Sequence, residues 1–344
     1  MARVAIKDIL DEAVSSKAAD IHICADAPPV FRIGKDLVPI RDKALTPDEA
    51  RGLSYELMND DQRRAFEREP DVDFMLAIGE ARFRVNISMN HGNVGAVVRI
   101  LDERPRSVAE LGLPPIVKGF AKLQKGLVLV TGGTSQGKTT TISAIIHEIN
   151  TDDRRHIITI EDPIEYVHAN DKSIVRQRRV GTDTKTFASG LRAALRQDPD
   201  VIAIGEMRDF ETFQTALIAA STGVLVVSTL HAISIDKVIE RLVSYGSAEF
   251  EQHIRYLMAD TIQAIIHQEL IPTVTGGKAV ACELLIANDA ARHVFRKSGS
   301  FTLRNIIATG GKQGMITMRQ SVNRLLDDAA ITTDQARGVL THYP

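Results

Sequence analysis

The sequence predicts an α/β protein with a smaller α+β domain ahead of its main sheet. From about residue 126 onward, short apolar runs alternate with stretches of helical periodicity, which is typical of a largely parallel sheet covered by helices. In roughly the first 100 residues, helices are mixed with strand-like runs joined by tight turns, as in an α+β domain. A polar, proline-containing segment at 102–106 separates the two patterns.

Length and composition limit the number of domains and the classes of function that this chain can have. The 344 residues suffice for about two domains, which we predict at 1–101 and 112–344 with a linker at 102–111. A net charge of −2 without a basic stripe argues against direct nucleic-acid binding. The distant Cys24 and Cys282 form neither a zinc site nor a disulfide framework, which fits a reducing cytosol. We find no signal peptide and no apolar run approaching the ~18 residues of a membrane span, so we expect a cytoplasmic protein that reaches membranes through a partner.

The first domain is predicted to contain both helices and strands. Helical spacing of apolar residues covers 4–16, and Asp20–Ile23 alternates as a strand does. Thr46, with Pro47 and Glu49 after it, is a helix start signal. The other predicted elements are a strand at Val30–Ile33, a helix at Gln62–Glu69, and strands at Asp71–Ala77, Ala81–Met89 and Val94–Leu101.

The second domain is predicted to alternate strands and helices before a mostly helical C-terminal part. Besides the strand at 127–130, strands are predicted at His156–Ile160, Val201–Ile204 and Gly223–Thr229. Helices are predicted at Thr186–Arg196, Phe210–Ser221, Ile235–Ser244, Gln252–His267, Asn288–Arg296, Thr302–Ile307, Met318–Leu326 and Thr333–Leu340. The carboxyl ends of parallel strands form the edge of a sheet where ligands bind.

A phosphate-binding loop follows the first of these strands. Gly132, Gly137, Lys138 and Thr139 match the pattern G-x-x-x-x-G-K-[ST] between an apolar strand and a helix with regularly spaced isoleucines. Loop N–H groups and the helix dipole there cradle phosphate, Lys138 neutralises the β/γ oxygens, and the Thr139 hydroxyl is a ligand of Mg²⁺. The predicted nucleotide-binding residues of the loop are Gly132, Gly133, Thr134, Ser135, Gln136, Gly137, Lys138, Thr139 and Thr140.

Carboxylates follow two of the predicted strands at the same edge. Glu161, Asp162 and Glu165 come after one strand, and Glu206 ends the segment after another, as in a Walker B motif. Such groups hold Mg²⁺, directly or through water, or accept a proton from the water that attacks a γ-phosphate. The alternatives are a solvated acidic turn for the first three residues and a helix-capping carboxylate for Glu206.

A histidine follows a third predicted strand. His231 comes directly after the run Val226–Leu230, where its ring could hydrogen-bond a γ-phosphate and respond to its loss. The alternative is a histidine with a purely structural role.

These segments together resemble the type II/IV secretion ATPase superfamily, and within it most of all the retraction ATPases of type IV pili. The segment 301–307, FTLRNII, resembles the C-terminal helical motif that retraction members need for retraction rather than for hydrolysis. The other segments that carry the resemblance are AADIHICADAPPVFRI, ARFRVN, TGGTSQGKTTT, ITIEDPIEYVH, ALRQDPDVIAIGEMRD, TLH and GMITMRQSVNRLL.

The resemblance implies a homohexamer with a PAS-like first domain and a RecA-like second domain, which hydrolyses ATP with Mg²⁺ and acts on a platform protein of the inner membrane. Glu161, Asp162 and Glu165 match the family's Asp box, Glu206 its Walker B glutamate and His231 its His box. With Lys138 these are the expected catalytic residues, and Thr139 and Glu206 the expected metal ligands. Arg82, Arg84 and Arg99 match positions that supply cations to the nucleotide at a domain or subunit boundary; alternatively they are ordinary surface arginines.

Several residues depart from the family pattern. Ser135 and Gln136 stand where Gly-Ser is usual, Arg179 replaces a glutamate, and Glu269 replaces an arginine. Ser221 and Val224 stand where a glutamate and a first histidine are common.

Four other functions remain as alternatives. A conjugation or effector-secretion ATPase would carry the same motifs, whereas pilus assembly ATPases generally carry a four-cysteine zinc module, which two distant cysteines cannot form. A DNA translocase on the same core would show hydrolysis stimulated by nucleic acid and steeply dependent on salt. A non-catalytic nucleotide-binding module would keep its ATP turnover unchanged in Glu206→Gln.

Overall fold

In the computed structural model the chain forms two compact units, Met1–Glu103 and Arg104–Pro344, each with its own hydrophobic core. The structure describes residues 5–79, 81–101, 104–244, 250–297 and 303–343. Three predicted segments fall partly outside the described residues: residue 4 of the first helix, 102 and 103 of the linker, and 301 and 302 of the C-terminal motif.

The first unit is a six-stranded antiparallel sheet in the order β3-β2-β1-β6-β5-β4, with helices packed on one face. Every element predicted here is confirmed within a few residues, and β3 is additional. The elements are α1 (Ile6–Ser15), β1 (Asp20–Ile23), β2 (Val30–Ile33), β3 (Asp36–Pro39), α2 (Pro47–Glu56), α3 (Asp60–Arg68), β4 (Asp71–Ile78), β5 (Ala81–Asn90) and β6 (Asn93–Leu101).

Alternation along β5 separates the two faces of this sheet. Phe83, Val85 and Ile87 are buried against the helices, so Arg82 and Arg84 lie on the opposite face. The predicted start of α2 is a capping box, in which Thr46 and Glu49 each accept a hydrogen bond from the backbone N–H of the other.

The second unit contains the phosphate-loop pattern. Its elements are α4 (Ile116–Gly119), β7 (Gly126–Thr131), α5 (Lys138–Asp152), β8 (His156–Glu161), β9 (Ile174–Arg179), α6 (Phe187–Ala194), β10 (Val201–Ile204), α7 (Phe210–Ser221), β11 (Leu225–Leu230), α8 (Ile235–Ser244), α9 (Glu251–Thr261), β12 (Ile262–Pro272), β13 (Lys278–Ile286), α10 (Asp289–Arg296), α11 (Leu303–Thr309), α12 (Met318–Asp327) and α13 (Thr333–Leu340).

The sheet of this unit has the order β13-β12-β7-β11-β10-β8-β9, and all pairs except β12–β13 are parallel. Val128 and Val130 of β7 pack in the core that contains the isoleucines of α5, whereas Leu127 and Leu129 pack in the core of the opposite face. The predicted α/β class with a largely parallel sheet is confirmed. Strands β7, β8, β10 and β11 end at one edge, where the candidate site lies.

One helix prediction is wrong in part. The sequence predicts a helix throughout Gln252–His267, but α9 ends at Thr261 and the chain continues as β12. Ile262, Ile265 and Ile266 are fully buried, because β12 is covered on both faces. A strand buried on both faces reads as an unbroken apolar run, which periodicity cannot distinguish from a buried helix. The sequence pattern predicts neither β9 nor β13.

Candidate functional site

The phosphate loop connects the end of β7 to the start of α5, as its sequence pattern predicts. Gly137, the residue before the helix, has a φ of 77°, which a residue with a side chain rarely adopts. A Cβ atom on Gly132 would lie 2.5 Å from the carbonyl oxygen of Gln268, so only glycine fits there. Ser135, which stands where glycine is usual, has a φ of 60°. A left-handed conformation at a serine costs roughly 1 kcal/mol, which explains why glycine is common at this position.

Lys138 begins α5, and its side chain folds back onto the loop. Its Nζ atom donates to the carbonyl oxygens of Gly132 at 3.1 Å and Gly133 at 2.6 Å. Burial lowers the pKa of Lys138, and the charge of Glu206 acts in the opposite direction. The ammonium group therefore lies inside the loop, where phosphate oxygens can replace the carbonyls as acceptors.

Lys138, His231 and Glu206 form a continuous row of polar groups. Nζ of Lys138 lies 3.3 Å from Nδ1 of His231, and Nε2 of the same ring lies 3.4 Å from Oε1 of Glu206. Arg208 donates to the other carboxylate oxygen of Glu206 at 2.9 Å. Burial lowers the pKa of His231, and the charge of Lys138 lowers it further. The structure thus brings together three residues that the sequence predicted independently.

Neighbouring strands fix the loop that carries Glu206. The hydroxyl of Thr229 donates to the carbonyl of Gly205 at 2.5 Å, and the N–H of Met207 donates to the carbonyl of Thr229 at 3.2 Å. Asp209, rather than Glu206, caps the next helix, because its side chain accepts the N–H of Thr212. The helix-capping alternative for Glu206 is therefore wrong.

The three Asp-box residues occupy different environments. Glu161 is partly buried and accepts hydrogen bonds from Thr159 at 2.5 Å and Gln177 at 3.0 Å. Burial raises the pKa of Glu161, and the nearby charge of Glu165 raises it further. Asp162 is exposed, whereas Glu165 is partly buried. The solvated-turn alternative therefore fits Asp162 but not Glu161.

Glu161 and Thr139 face the same small cavity of about 20 Å³ next to the first turn of α5. Tyr166 and His168 also line it, and the Tyr166 hydroxyl lies 3.0 Å from the hydroxyl of Thr140. Burial lowers the pKa of His168 to about 4, so its ring is neutral at pH 7. The carboxylate of Glu161, the last residue of β8, thus adjoins the residue expected to bind Mg²⁺.

A larger cleft of about 590 Å³ opens on the other side of the loop. Basic and acidic side chains of α8 face the first residues of the phosphate loop across this cleft. Its lining consists of Gly132, Gly133, Thr134, His231, Ala232, Ile233, Lys237, Glu240, Arg241 and Ser244.

The three predicted arginines lie in the first unit, where two of them form ion pairs within their own sheet. Arg84 contacts Asp73, with 2.5 Å between Nη2 and Oδ2, and Arg99 contacts Asp20 at 2.8 Å. Arg82 lies on the same strand and face as Arg84. None of the three arginines belongs to the unit that contains the phosphate loop.

Two glutamines that contact the site are not among the predicted site residues. Gln177 donates to Glu161 and to the carbonyl of Tyr166, and its own carbonyl accepts the N–H of His168 at 2.8 Å. Gln268 contacts the phosphate loop from β12. Neither belongs to a catalytic pattern, and only the pairing of distant strands brings them to the site.

Among the residues that the structure describes, no group of three or more His, Cys, Asp or Glu side chains is arranged to hold a metal ion. Mg²⁺ in nucleotide sites usually takes one or two protein ligands and completes its shell with phosphates and water. A hydroxyl at Thr139 with one carboxylate would satisfy that requirement. Over the same described ranges, no helix combines the length and hydrophobicity that crossing a bilayer requires.

Comparison with known proteins agrees with this architecture over nearly the whole chain. The chain is 39% identical over 333 residues to the type IV pilus retraction ATPase PilT of Pseudomonas aeruginosa, covering 96% of this chain and 97% of that protein. A crystal structure of the pilus retraction motor PilT with bound ADP matches with a TM-score of 0.89 and 41% identity, covering 97% of this chain and 96% of that one.

The ATPase DotB of Legionella pneumophila also matches, with a TM-score of 0.86 and 25% identity over 99% of this chain and 97% of that one. The family model for type II/IV secretion system proteins matches residues 1–332. The chain belongs to the type II/IV secretion system protein family.

Proposed function

We propose that this protein is an ATPase that powers the retraction of a type IV pilus. The observation that carries the proposal is the row from Lys138 through His231 to Glu206 beside the phosphate loop. In this proposal, Lys138 is the cation for phosphate, His231 the γ-phosphate contact and Glu206 the carboxylate for water activation, and their proximity supports hydrolysis at this site. The similarity to PilT over almost the entire chain supports pilus retraction as the purpose of hydrolysis.

ATP binding is assigned to the loop and the first turn of α5. Lys138 and the N–H groups of 132–140 hold the β- and γ-phosphates, and the ammonium exchanges its loop carbonyl acceptors for phosphate oxygens. Thr139 and Glu206 would hold Mg²⁺, which when bound neutralises charge on the β- and γ-oxygens. Bound ADP in the PilT crystal structure supports nucleotide binding by this protein.

Water activation is assigned to Glu206, with Glu165 as the alternative general base. The carboxylate of Glu206 is oriented by Arg208 and His231, so it can accept a proton from a water in line with the γ-phosphate. Glu161 is assigned to the metal rather than to the attacking water, because it lines the same small cavity as Thr139. Glu161 and Asp162 are better suited to hold water molecules around the metal.

The working assembly is proposed to be a homohexamer in the cytoplasm, docked on the inner membrane through a platform protein. In this assembly the nucleotide of one subunit would be approached by Arg82, Arg84 and Arg99 of its neighbour. Arg84 and Arg99 would then contact phosphate instead of the aspartates with which they pair. Loss of the γ-phosphate would remove these contacts and the one to His231, and so change the relative orientation of the domains. Sequential changes around the ring would act on the platform protein and withdraw pilin subunits.

A second candidate is an ATPase that serves a secretion or conjugation machine. The match of residues 1–332 to the family model for type II/IV secretion system proteins favours it. Both functions need the same hydrolysis, so only the partner machine distinguishes them.

Deletion of the gene in its native host tests the proposal. We expect pili that assemble but do not retract, and retraction restored by the parent gene but not by Lys138→Ala. Loss of effector export or conjugative transfer with normal retraction would instead assign the protein to the second candidate.

A further inference from the structure

One buried side chain of β12 joins the phosphate loop to α5. Nε2 of Gln268 donates to the backbone carbonyl of Gln136 at 2.5 Å, and its Oε1 accepts the hydroxyl of Thr141 at 2.8 Å. Gln268 is 1% exposed and Thr141 is 2% exposed. The orientation of the amide is defined, because a backbone carbonyl can only accept a hydrogen bond. The loop and the first turn of the helix are therefore held by one amide group.

The same strand contacts the loop at three further points. Oε1 of Gln136 accepts the N–H of Leu270 at 2.6 Å, so this residue is held by both its main chain and its side chain. A Cβ on Gly132 would lie 2.5 Å from the Gln268 carbonyl oxygen, and one on Gly137 would lie 3.3 Å from Nε2 of Gln268. Both glycines of the motif thus lie directly against a single residue of β12.

The hydrogen bond to Gln136 determines where the next N–H group points. The carbonyl of Gln136 and the N–H of Gly137 belong to one planar trans peptide and therefore point in opposite directions. Since the carbonyl is bonded to Gln268, the N–H of Gly137 is directed away from β12. N–H groups with that orientation in a phosphate loop bind phosphate oxygens.

We propose that Gln268 is a positioning residue for the diphosphate part of the bound nucleotide. It acts through the peptide between Gln136 and Gly137, and the side chain of Gln136 holds the same peptide in place from its contact with Leu270. The proposal rests on the nucleotide binding proposed above. It assigns a role to Gln136, which departs from the family pattern, and to a strand residue outside the motif.

This role affects binding rather than the chemical step. ADP and ATP share the α- and β-phosphates, so loss of the brace should weaken both to a similar extent. An interaction made equally in the ground and transition states changes KM and leaves kcat unchanged. Variants of His231 or Glu206 should instead lower kcat and leave ADP affinity nearly unchanged.

The test uses methionine as a similarly sized side chain without hydrogen-bonding groups. We expect Gln268→Met to bind ADP about tenfold more weakly than the parent, and Gln136→Met roughly threefold more weakly, by calorimetric titration. KM for ATP should rise by the same factors, with kcat within about twofold of the parent. Gln263→Met is the matched control, because Gln263 lies at the far end of the same strand, and its ADP affinity should equal that of the parent.

Each outcome decides the proposal. Parent-like ADP affinity in a folded Gln268→Met protein overturns it, and so does a fall in kcat without a change in affinity. If Gln268→Met does not fold, Gln268→Asn decides, because its amide remains polar but is one methylene too short to bond the Gln136 carbonyl; ADP affinity equal to that of the parent would then overturn the proposal. If the parent protein binds neither ADP nor ATP, the proposed function itself is overturned. If the parent hydrolyses ATP and Gln268→Met binds ADP as tightly as the parent, only the positioning role is overturned.

Discussion

Nζ of Lys138 lies 3.3 Å from Nδ1 of His231, although 93 residues separate the two in the sequence. An ammonium group has no lone pair to offer, so Nδ1 must be the acceptor and the ring proton must sit on Nε2, facing Glu206. His231 is therefore neutral in this arrangement, in line with its lowered pKa. A neutral ring with its proton on Nε2 can donate to a γ-phosphate oxygen without protonation from solvent.

Replacing His231 with alanine should slow hydrolysis while leaving ADP binding intact. The ring is proposed to contact the γ-phosphate, which ADP lacks, so kcat should fall about 100-fold while ADP affinity changes less than about threefold. Steady-state kinetics and calorimetric titration measure the two quantities. His293→Ala on α10 removes an exposed histidine and should match the parent. Equal losses of ADP affinity and kcat would contradict the proposed contact.

Glu206→Gln should abolish most of the turnover and preserve nucleotide binding. The amide keeps the shape of the side chain but cannot accept a proton from water, so kcat should fall at least about 100-fold. Glu211→Gln, an exposed residue that pairs with Arg192 on the protein surface, is the matched control. Parent-like turnover of Glu206→Gln would favour Glu165 as the base, or a non-catalytic nucleotide-binding protein if Glu165→Gln is also unaffected.

The sequence was sufficient to locate the strands that end at the site and the residues whose types carry chemistry. Lys138, Glu206 and His231 each follow a short apolar run, and parallel strands bring such positions to one edge. The sequence did not identify Gln177 or Gln268, because their roles depend on partners that only the tertiary structure supplies. Gln268 contacts a residue 132 positions away, and the strand that carries it was predicted to be partly helical.

Coexpression of two inactive variants tests whether the arginines act between subunits. Lys138→Ala should be inactive, and Arg99→Ala should lose at least about 10³-fold in kcat if this arginine stabilises charge on the γ-phosphate. In mixed rings, roughly a quarter of the sites combine an intact lysine with an intact arginine from the neighbour, so ATPase activity should partly return. The same pairing with Arg84→Ala or Arg82→Ala identifies the arginine involved. Mixed rings as inactive as either variant alone would exclude a role between subunits.

Glu283 makes stability depend on pH in a defined direction. Burial, together with the nearby charge of Asp236, raises the pKa of Glu283 to about 7, from 4.5 in an unfolded chain. The folded state then binds more protons than the unfolded state between these values, so stability is lost as pH rises from about 4.5 to 7. Glutamine does not titrate, so the free energy of unfolding of Glu283→Gln relative to the parent should increase by up to about 3 kcal/mol over this interval. Urea denaturation at pH 4.5 and pH 7.5 measures the free energy of unfolding of both proteins. If the difference between the two proteins were the same at both pH values, the raised pKa of Glu283 would be contradicted.

Arg304 on α11 pairs with Asp236 on α8, the helix that lines the 590 Å³ cleft, with 3.2 Å between Nε and Oδ2. Burial raises the pKa of Asp236, whose side chain is 16% exposed, and Arg304 counteracts that effect. Arg304→Ala leaves a largely buried carboxylate without its cation, so we expect a loss of about 2 kcal/mol in the free energy of unfolding.

Adding Asp236→Asn to Arg304→Ala should recover most of this loss, because the charge that lacks a partner is then removed as well. Arg296→Ala, in a more exposed pair with Asp260, should cost less than about 0.5 kcal/mol. Since the motif that contains Arg304 is proposed to serve retraction rather than hydrolysis, a folded Arg304→Ala protein should keep its ATPase activity and fail to restore retraction in the deletion strain. If Arg304→Ala restored retraction, the ion pair would not be needed for the function of the motif. If the losses in the free energy of unfolding of the two single variants simply added in the double variant, the two side chains would not interact.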